Sequence, residues 1–305
     1  MNSSMDSSMN SSFVKKLIIL FLGTSAMKSL TAYPSSAALP GTEVLHIETR
    51  KIENIVRRDS QASYTLVFEN GVRNCINRWD KLLPHLPTNL NIYIYNRPGY
   101  CGSSKADTPR TSENIVNELR QALKQQSLNP PYVLIGHSMG GLYMQHFARQ
   151  YPEEVKGLVL VDAIYPGIFK HPDTFPWYTK LGMSIFLPKD MRGEINLAHA
   201  SGLMIDALPA IDDIPVVRMF NEPKSKIADG TAKEIDLGML NRNESVVTKV
   251  SSMYPHAKVV VADSSHQMQE ASPELVAQAI QDVIHGDLKI AVEKVRIENS
   301  LYQEK

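Results

Sequence analysis

The sequence predicts an α/β chain: a doubly wound, mostly parallel sheet with a small, mainly helical lid inserted into it. Three observations carry this. Short β-prone runs alternate with helical ones through most of the chain, the pattern of βα units. The runs Tyr132–Ile135 and Leu158–Val161 hold no charged residue, as expected of strands covered on both faces. Between residues 163 and 212 the alternation stops, and Pro, Gly, Met and aromatic residues take over.

Taken in order, Val44–Glu48 and Asn54–Arg58 read as an early hairpin, and Tyr64–Phe68 as a strand ending at Asn70-Gly71. Trp79–Leu86 has the spacing of a short amphipathic helix, and Asn91–Tyr95 alternates Ile with Tyr as a strand. Over Ser112–Gln126, Ile115, Leu119 and Leu123 share one helical face, and Ser112 can cap it. Met139–Tyr151 is helical and stops at Pro152. After the insertion come a strand at Val216–Phe220, a helix at Glu244–Met253, a strand at Lys258–Ala262 and a helix at Pro273–Ile284, with a break at Gly286. The expected layout is a core of residues 38–162 and 213–286, a lid over 163–212, and a helical extension over 287–305.

Composition narrows the function. The chain has 305 residues, 43% hydrophobic and 21% charged, with a formal net charge of +0. These values exclude bulk disorder, collagen and a multi-span membrane protein. Charge balance argues against a nucleic-acid partner, which selects for a basic surface. Two cysteines are too few for a disulfide scaffold or a Cys-based zinc site. A Gly-rich phosphate loop, an H-E-x-x-H motif and zinc-spaced ligands are all missing, so no metal or organic cofactor is implied.

Residues 1–37 read as a secretory signal peptide. Lys15 and Lys16 precede an uncharged stretch from Leu17 to Met27, and small residues suited to cleavage stand at Thr24/Ala26, within its end, and at Ser35/Ala37. The apolar run is shorter than the ~20 residues of a membrane span. The expectation is a periplasmic or secreted protein, with an uncleaved membrane anchor as the alternative. Removing residues 1–37 takes away Lys15, Lys16, Lys28 and Asp6 and leaves a charge of about −2.

The chemistry centres on Gly136-His137-Ser138-Met139-Gly140, which follows the strand Tyr132–Ile135 and opens a helix. This is a G-x-S-x-G nucleophile elbow in its strand–turn–helix setting. The sharp turn presents the serine hydroxyl, the glycines let strand and helix approach closely, and the helix N-terminus aims free N–H groups at the reacting centre. The rival reading makes Ser138 only a helix cap. His137 is expected to pack beside the elbow.

With the elbow in place, the chain resembles the α/β-hydrolase fold family, in its serine hydrolase, esterase-like branch, over residues 42–285. Besides the elbow, the resemblance rests on Glu69-Asn70-Gly71, on Asn96-Arg97-Pro98-Gly99-Tyr100-Cys101-Gly102-Ser103, and on Ser265-His266 followed by Pro273-Glu274-Leu275. It implies that His266, just past the last strand, is the base a serine hydroxyl needs. The acid is less well marked. The family usually places it after the strand here at Val216–Phe220, where only Glu222 is close; some relatives place it one strand earlier, where this chain has Asp162. Asp162 is preferred, with Glu222, Asp229 and Asp236 as alternatives. The resemblance also implies an oxyanion hole of two backbone N–H groups, from Met139 and from Val72. It sets the third and fourth strands side by side, so that Cys75 and Cys101 can form a disulfide if the compartment is oxidising.

The expected protein is a serine hydrolase, carboxylesterase- or lipase-like, cleaving a small-molecule ester or acyl substrate. An aminopeptidase, amidase or perhydrolase on the same triad, and a non-catalytic binding protein on the same scaffold, are the rivals. Phe169, Phe175, Trp177, Tyr178, Met183, Ile185 and Phe186 suit either an acyl-binding lid or a small packed cap. Asp173, Asp190, Glu194 and Asp206 in the same insertion are expected to form a solvated face.

Overall fold

The computed structural model describes residues 39–211, 213–222 and 244–286. The signal-like segment, the C-terminal extension, and Asp229 and Asp236 lie outside them. Eight strands form one sheet: β1 (Thr42–Ile47), β2 (Arg50–Arg57), β3 (Thr65–Glu69), β4 (Asn91–Tyr95), β5 (Tyr132–His137), β6 (Val155–Val161), β7 (Val216–Asn221) and β8 (Lys258–Ala262). Their order is β1-β2-β4-β3-β5-β6-β7-β8. The pairs β1–β2 and β2–β4 are antiparallel, and every pair from β4 through β3 to β8 is parallel. The predicted sheet is therefore present, with the hairpin on its edge.

Strand β5 lies near the middle, flanked by β3 and β6, and each of its residues is buried. That explains its unbroken apolar run: a strand covered on both faces has no solvent side on which to place polar residues. One face is covered by α1 (Ser112–Gln125) and α2 (Met139–Gln150), and the other by α7 (Pro273–His285). Gly286, with φ 69°, ends α7 in the left-handed conformation.

The inserted stretch holds α3 (Trp177–Phe186) and α4 (Lys189–Asp206), and α4 packs on both α1 and α2. The helices α5 (Glu244–Met253) and α6 (Met268–Ala271) complete the described elements. Among the described residues no helix is long and apolar enough to cross a membrane.

Two local expectations need correction. Trp79–Leu86 is not one helix but part of two short 3-10 turns, Ile76–Trp79 and Leu83–His85. Pro84 has no N–H to donate, so a continuous ladder cannot pass it. The cap of α1 is Thr111, whose hydroxyl accepts from the Asn114 N–H at 3.3 Å, while Ser112 hydrogen-bonds His146 Nδ1 at 2.8 Å.

Candidate active site

The parallel strands β5 and β6 end side by side in residues with unusual backbones. Ser138 has φ 53° and Asp162 φ 41°. A non-glycine residue held at positive φ costs roughly 1–3 kcal/mol and persists only where its surroundings fix it. Here they do. The Ser138 N–H donates to the Val161 carbonyl at 3.1 Å, and the Ser138 carbonyl accepts from Gly141 and Ile164 at 3.0 and 2.9 Å. The Asp162 N–H donates to the Met219 carbonyl at 2.9 Å.

The elbow also depends on close backbone approach. A Cβ at Gly136 would lie 2.6 Å from the Gly141 Cα, and one at Gly140 would lie 2.4 Å from the Glu69 carbonyl oxygen. Real Cβ atoms do not come this close to backbone, so the motif's two glycines are steric requirements of this packing.

Asp162 and His266 meet across two strand ends. His266 Nδ1 donates to Asp162 Oδ2 at 2.8 Å, and Asp162 Oδ1 accepts from the Asn221 N–H at 3.3 Å. Asp162 is fully buried, whereas the His266 side chain keeps 16% of its exposure. A proton on Nδ1, fixed by the carboxylate, leaves Nε2 free to accept. Glu222, the alternative acid, is exposed one residue past β7.

His137 is more than a packing residue. Its ring lies 4.6 Å from that of His266, centroid to centroid. Its Nε2 is 2.8 Å from the His266 carbonyl oxygen, so it carries the proton and donates; its Nδ1 then accepts from Asn74 Nδ2 at 3.2 Å. Asn74 Nδ2 also donates to Gln267 Oε1 at 3.1 Å. Burial, and secondarily the neighbouring His266, push the His137 pKa well below the ordinary histidine value, so this clamp is neutral. Asn74 and Asn221 were not picked out by sequence reasoning, since neither has a motif and both partners are remote in the chain.

The loop after β3 runs directly against the elbow. A Cβ on Gly71 would come within 2.9 Å of both Ser138 Cβ and His137 Nδ1. Val72 follows Gly71 on this loop, and Met139 begins α2 immediately after Ser138. The loop is pinned by Asn70: its Nδ2 donates to the Tyr95 carbonyl at 3.0 Å, and its Oδ1 accepts from Trp79 Nε1 at 2.8 Å. Cys75 and Cys101 are joined in a disulfide across the β3 and β4 loops, with Cα atoms 6.2 Å apart.

In the insertion, Phe169, Phe175 and Met183 are buried in the core, while Trp177, Tyr178, Ile185 and Phe186 are exposed. Glu194 departs from the expected solvated face. It is buried and accepts two hydrogen bonds from Arg97, to Oε1 and Oε2, each 3.0 Å. A buried carboxylate needs such a partner, and Arg97 from the β4 loop supplies it.

Comparison with known proteins agrees with this fold. The family model described as alpha/beta hydrolase fold matches residues 64–200. The Bacillus subtilis protein YqjL is 22% identical over 236 residues, which cover 74% of this chain and 85% of YqjL. A (lyso)-N-acylphosphatidylethanolamine lipase of Bos taurus is 29% identical over 100 residues, covering 32% of this chain and only 29% of the lipase. Among solved structures, Cfl2 from Burkholderia cenocepacia superposes with a TM-score of 0.60 at 15% identity, over 79% of this chain and 94% of that one. The epoxide hydrolase CorEH superposes with a TM-score of 0.58 at 14% identity, over 80% and 98%. At these identities the structural likenesses speak for the fold alone. Sheet order, elbow and matched family model together show that the chain has the α/β-hydrolase fold.

Proposed function

We propose that this hydrolase is a serine esterase, cleaving carboxylic esters through an acyl-enzyme on Ser138. The observation that carries the reading is the His266–Asp162 hydrogen bond at the same sheet end as the strained Ser138 elbow. In the proposed reaction Ser138 Oγ attacks the ester carbonyl carbon while His266 Nε2 takes its proton. The resulting oxyanion is held by the Met139 and Val72 N–H groups. Collapse breaks the bond to the alcohol, which leaves with the proton from His266. Water then repeats the sequence, releasing the acid and restoring the serine. Asp162 keeps the imidazole in the Nδ1–H form and stabilises its cation without taking the proton.

Serine at the elbow favours this over an epoxide hydrolase, since an epoxide-opening nucleophile of this fold is a carboxylate. The lipase relative supports an ester or related acyl bond as the target. We further propose that the protein is exported. The signal-like residues 1–37 and the Cys75–Cys101 disulfide both suit an oxidising compartment.

The test is hydrolysis of p-nitrophenyl esters from acetate to palmitate by the full chain and by Ser138→Ala. Activity that vanishes in the variant is expected. Activity that survives it, or an inert wild-type protein that also resists a fluorophosphonate, would overturn the reading.

A further inference from the structure

Arg97 stands between two parts of the molecule that the reaction scheme treats separately. On one side it grips the loop after β3: Nη1 donates to the Asn70 carbonyl and to Glu69 Oε1, and Nη2 approaches the Gly71 carbonyl at 3.5 Å. On the other side its Nε and Nη2 fork onto the Glu194 carboxylate of α4. Tyr100 Oη also donates to Glu194 Oε2, at 2.8 Å. Arg97 and Glu194 are each about 1% exposed and Glu69 is fully buried. The guanidinium is planar, so two bonds to Glu194 fix the direction in which its remaining N–H groups point. Those groups point at the carbonyls that precede the Val72 N–H.

We propose that Glu194 is a positioning residue for the oxyanion loop, orienting Arg97 so that the Asn70 and Gly71 carbonyls hold the Val72 N–H on the developing oxyanion. The proposal rests on the esterase reading, because it takes Val72 as an oxyanion donor. It also gives α4 a fixed place: lifting this helix off the core would take the Glu194 carboxylate from Arg97 Nε and Nη2 and leave those buried donors unpaired, so α4 stays seated through turnover. The inserted helix thus serves as part of the oxyanion site's support rather than as a moving cover.

A control lies in the same ionic network. Arg110 Nη1 donates to both oxygens of Glu118 at 2.8 and 2.9 Å, and Arg110 Nε lies 3.9 Å from Glu194 Oε1. Glu118 is buried like Glu194, but its hydrogen-bond partners are Arg110 and Thr108, away from the Asn70–Gly71 loop. Loss of either carboxylate disturbs a buried ion pair; only loss of Glu194 releases the loop.

The experiment compares wild type, Glu194→Gln, Glu194→Asp, Arg97→Lys and Glu118→Gln, each titrated with a fluorophosphonate to count working sites. p-Nitrophenyl acetate turnover is then expressed per titrated site. Misplacing one donor by about an ångström is expected to lower kcat about 10- to 100-fold in both Glu194 variants and in Arg97→Lys. KM should stay within about twofold and the pH profile should keep its shape, while Glu118→Gln loses thermal stability and keeps its kcat per site. Should Glu194→Gln not fold, the Asp variant and Arg97→Lys carry the comparison. Unchanged kcat per site in the Glu194 and Arg97 variants, or an equal loss in Glu118→Gln, would overturn the role of Glu194 while leaving the esterase reading intact. A wild-type protein that neither labels nor turns over would overturn both.

Discussion

Asp162 and His266 are 104 residues apart in sequence and 2.8 Å apart in space, Oδ2 to Nδ1. The carboxylate is fully buried and also accepts from the Asn221 N–H, so its position is set before any substrate arrives. Replacing the carboxylate with an amide keeps the shape and removes the charge that fixes the imidazole tautomer. Asp162→Asn is therefore expected to lower kcat about 10³- to 10⁴-fold with a near-wild-type fold. Glu222→Gln should leave kcat within about twofold. Ester hydrolysis by the two variants checks the assignment, and the opposite ranking would move the acid to Glu222.

Gly71 bears on the loop after β3 more sharply than Val72, whose proposed contribution as an oxyanion donor comes from backbone. Alanine at 71 would press a methyl group against Ser138 Cβ and His137 Nδ1, both 2.9 Å from its ideal position. Relief requires the loop to withdraw from the elbow. Gly71→Ala is expected to cost about 1–3 kcal/mol of stability and at least tenfold in kcat. Val72→Ala, which keeps the N–H, should stay within about threefold of wild type. Equal activity in Gly71→Ala would show that this loop does not support the reaction.

Stability should fall on mild acidification. Burial holds His146 at about 4, whereas a free imidazole titrates near ~6.5. Between those values the unfolded chain binds a proton that the folded chain refuses. Stability from this group is full above pH ~6.5 and is lost as the pH falls toward ~4, by up to about 1.4 kcal/mol per unit. His137, held low mainly by burial, acts in the same direction. Urea midpoints at pH 7 and pH 5 should differ, and His146→Gln should narrow the gap. No narrowing would contradict the burial argument.

The disulfide closes a loop with a sequence separation of 26. In the chain-entropy model this constrains the unfolded state by about 3–4 kcal/mol. Urea unfolding with and without reductant, and of Cys75→Ser with Cys101→Ser, should show a loss of that order. Because the same bond ties the β3 and β4 loops, reduction should also slow ester turnover in protein that is still folded. An unchanged midpoint would mean the loops are held by Asn70 and Arg97 alone.

What could be read from the sequence was what sits at a strand end within a motif. Ser138 declared itself because strand, glycines and helix are contiguous. His266 and Asp162 came from the resemblance to the fold family, and the structure brings the two side chains together where parallel strands deliver their C-terminal ends to one edge of the sheet. Glu194 was misjudged for a physical reason: a lone acid on an inserted helix looks solvated until its partner is known, and Arg97 lies 97 residues away. Asn74 and His137 are likewise joined only by the fold, 63 residues apart. The helix expected at Trp79–Leu86 broke at Pro84, where local chemistry outweighed apolar spacing.

The most direct test of the central claim is where an acyl-like adduct forms. Fluorophosphonate treatment followed by peptide mass mapping should yield one adduct, on the peptide carrying Ser138. It should be absent from Ser138→Ala and slowed about 10³-fold or more in His266→Ala, which leaves the hydroxyl without its base. An adduct on another residue, or ester turnover that persists in Ser138→Ala, would contradict the account.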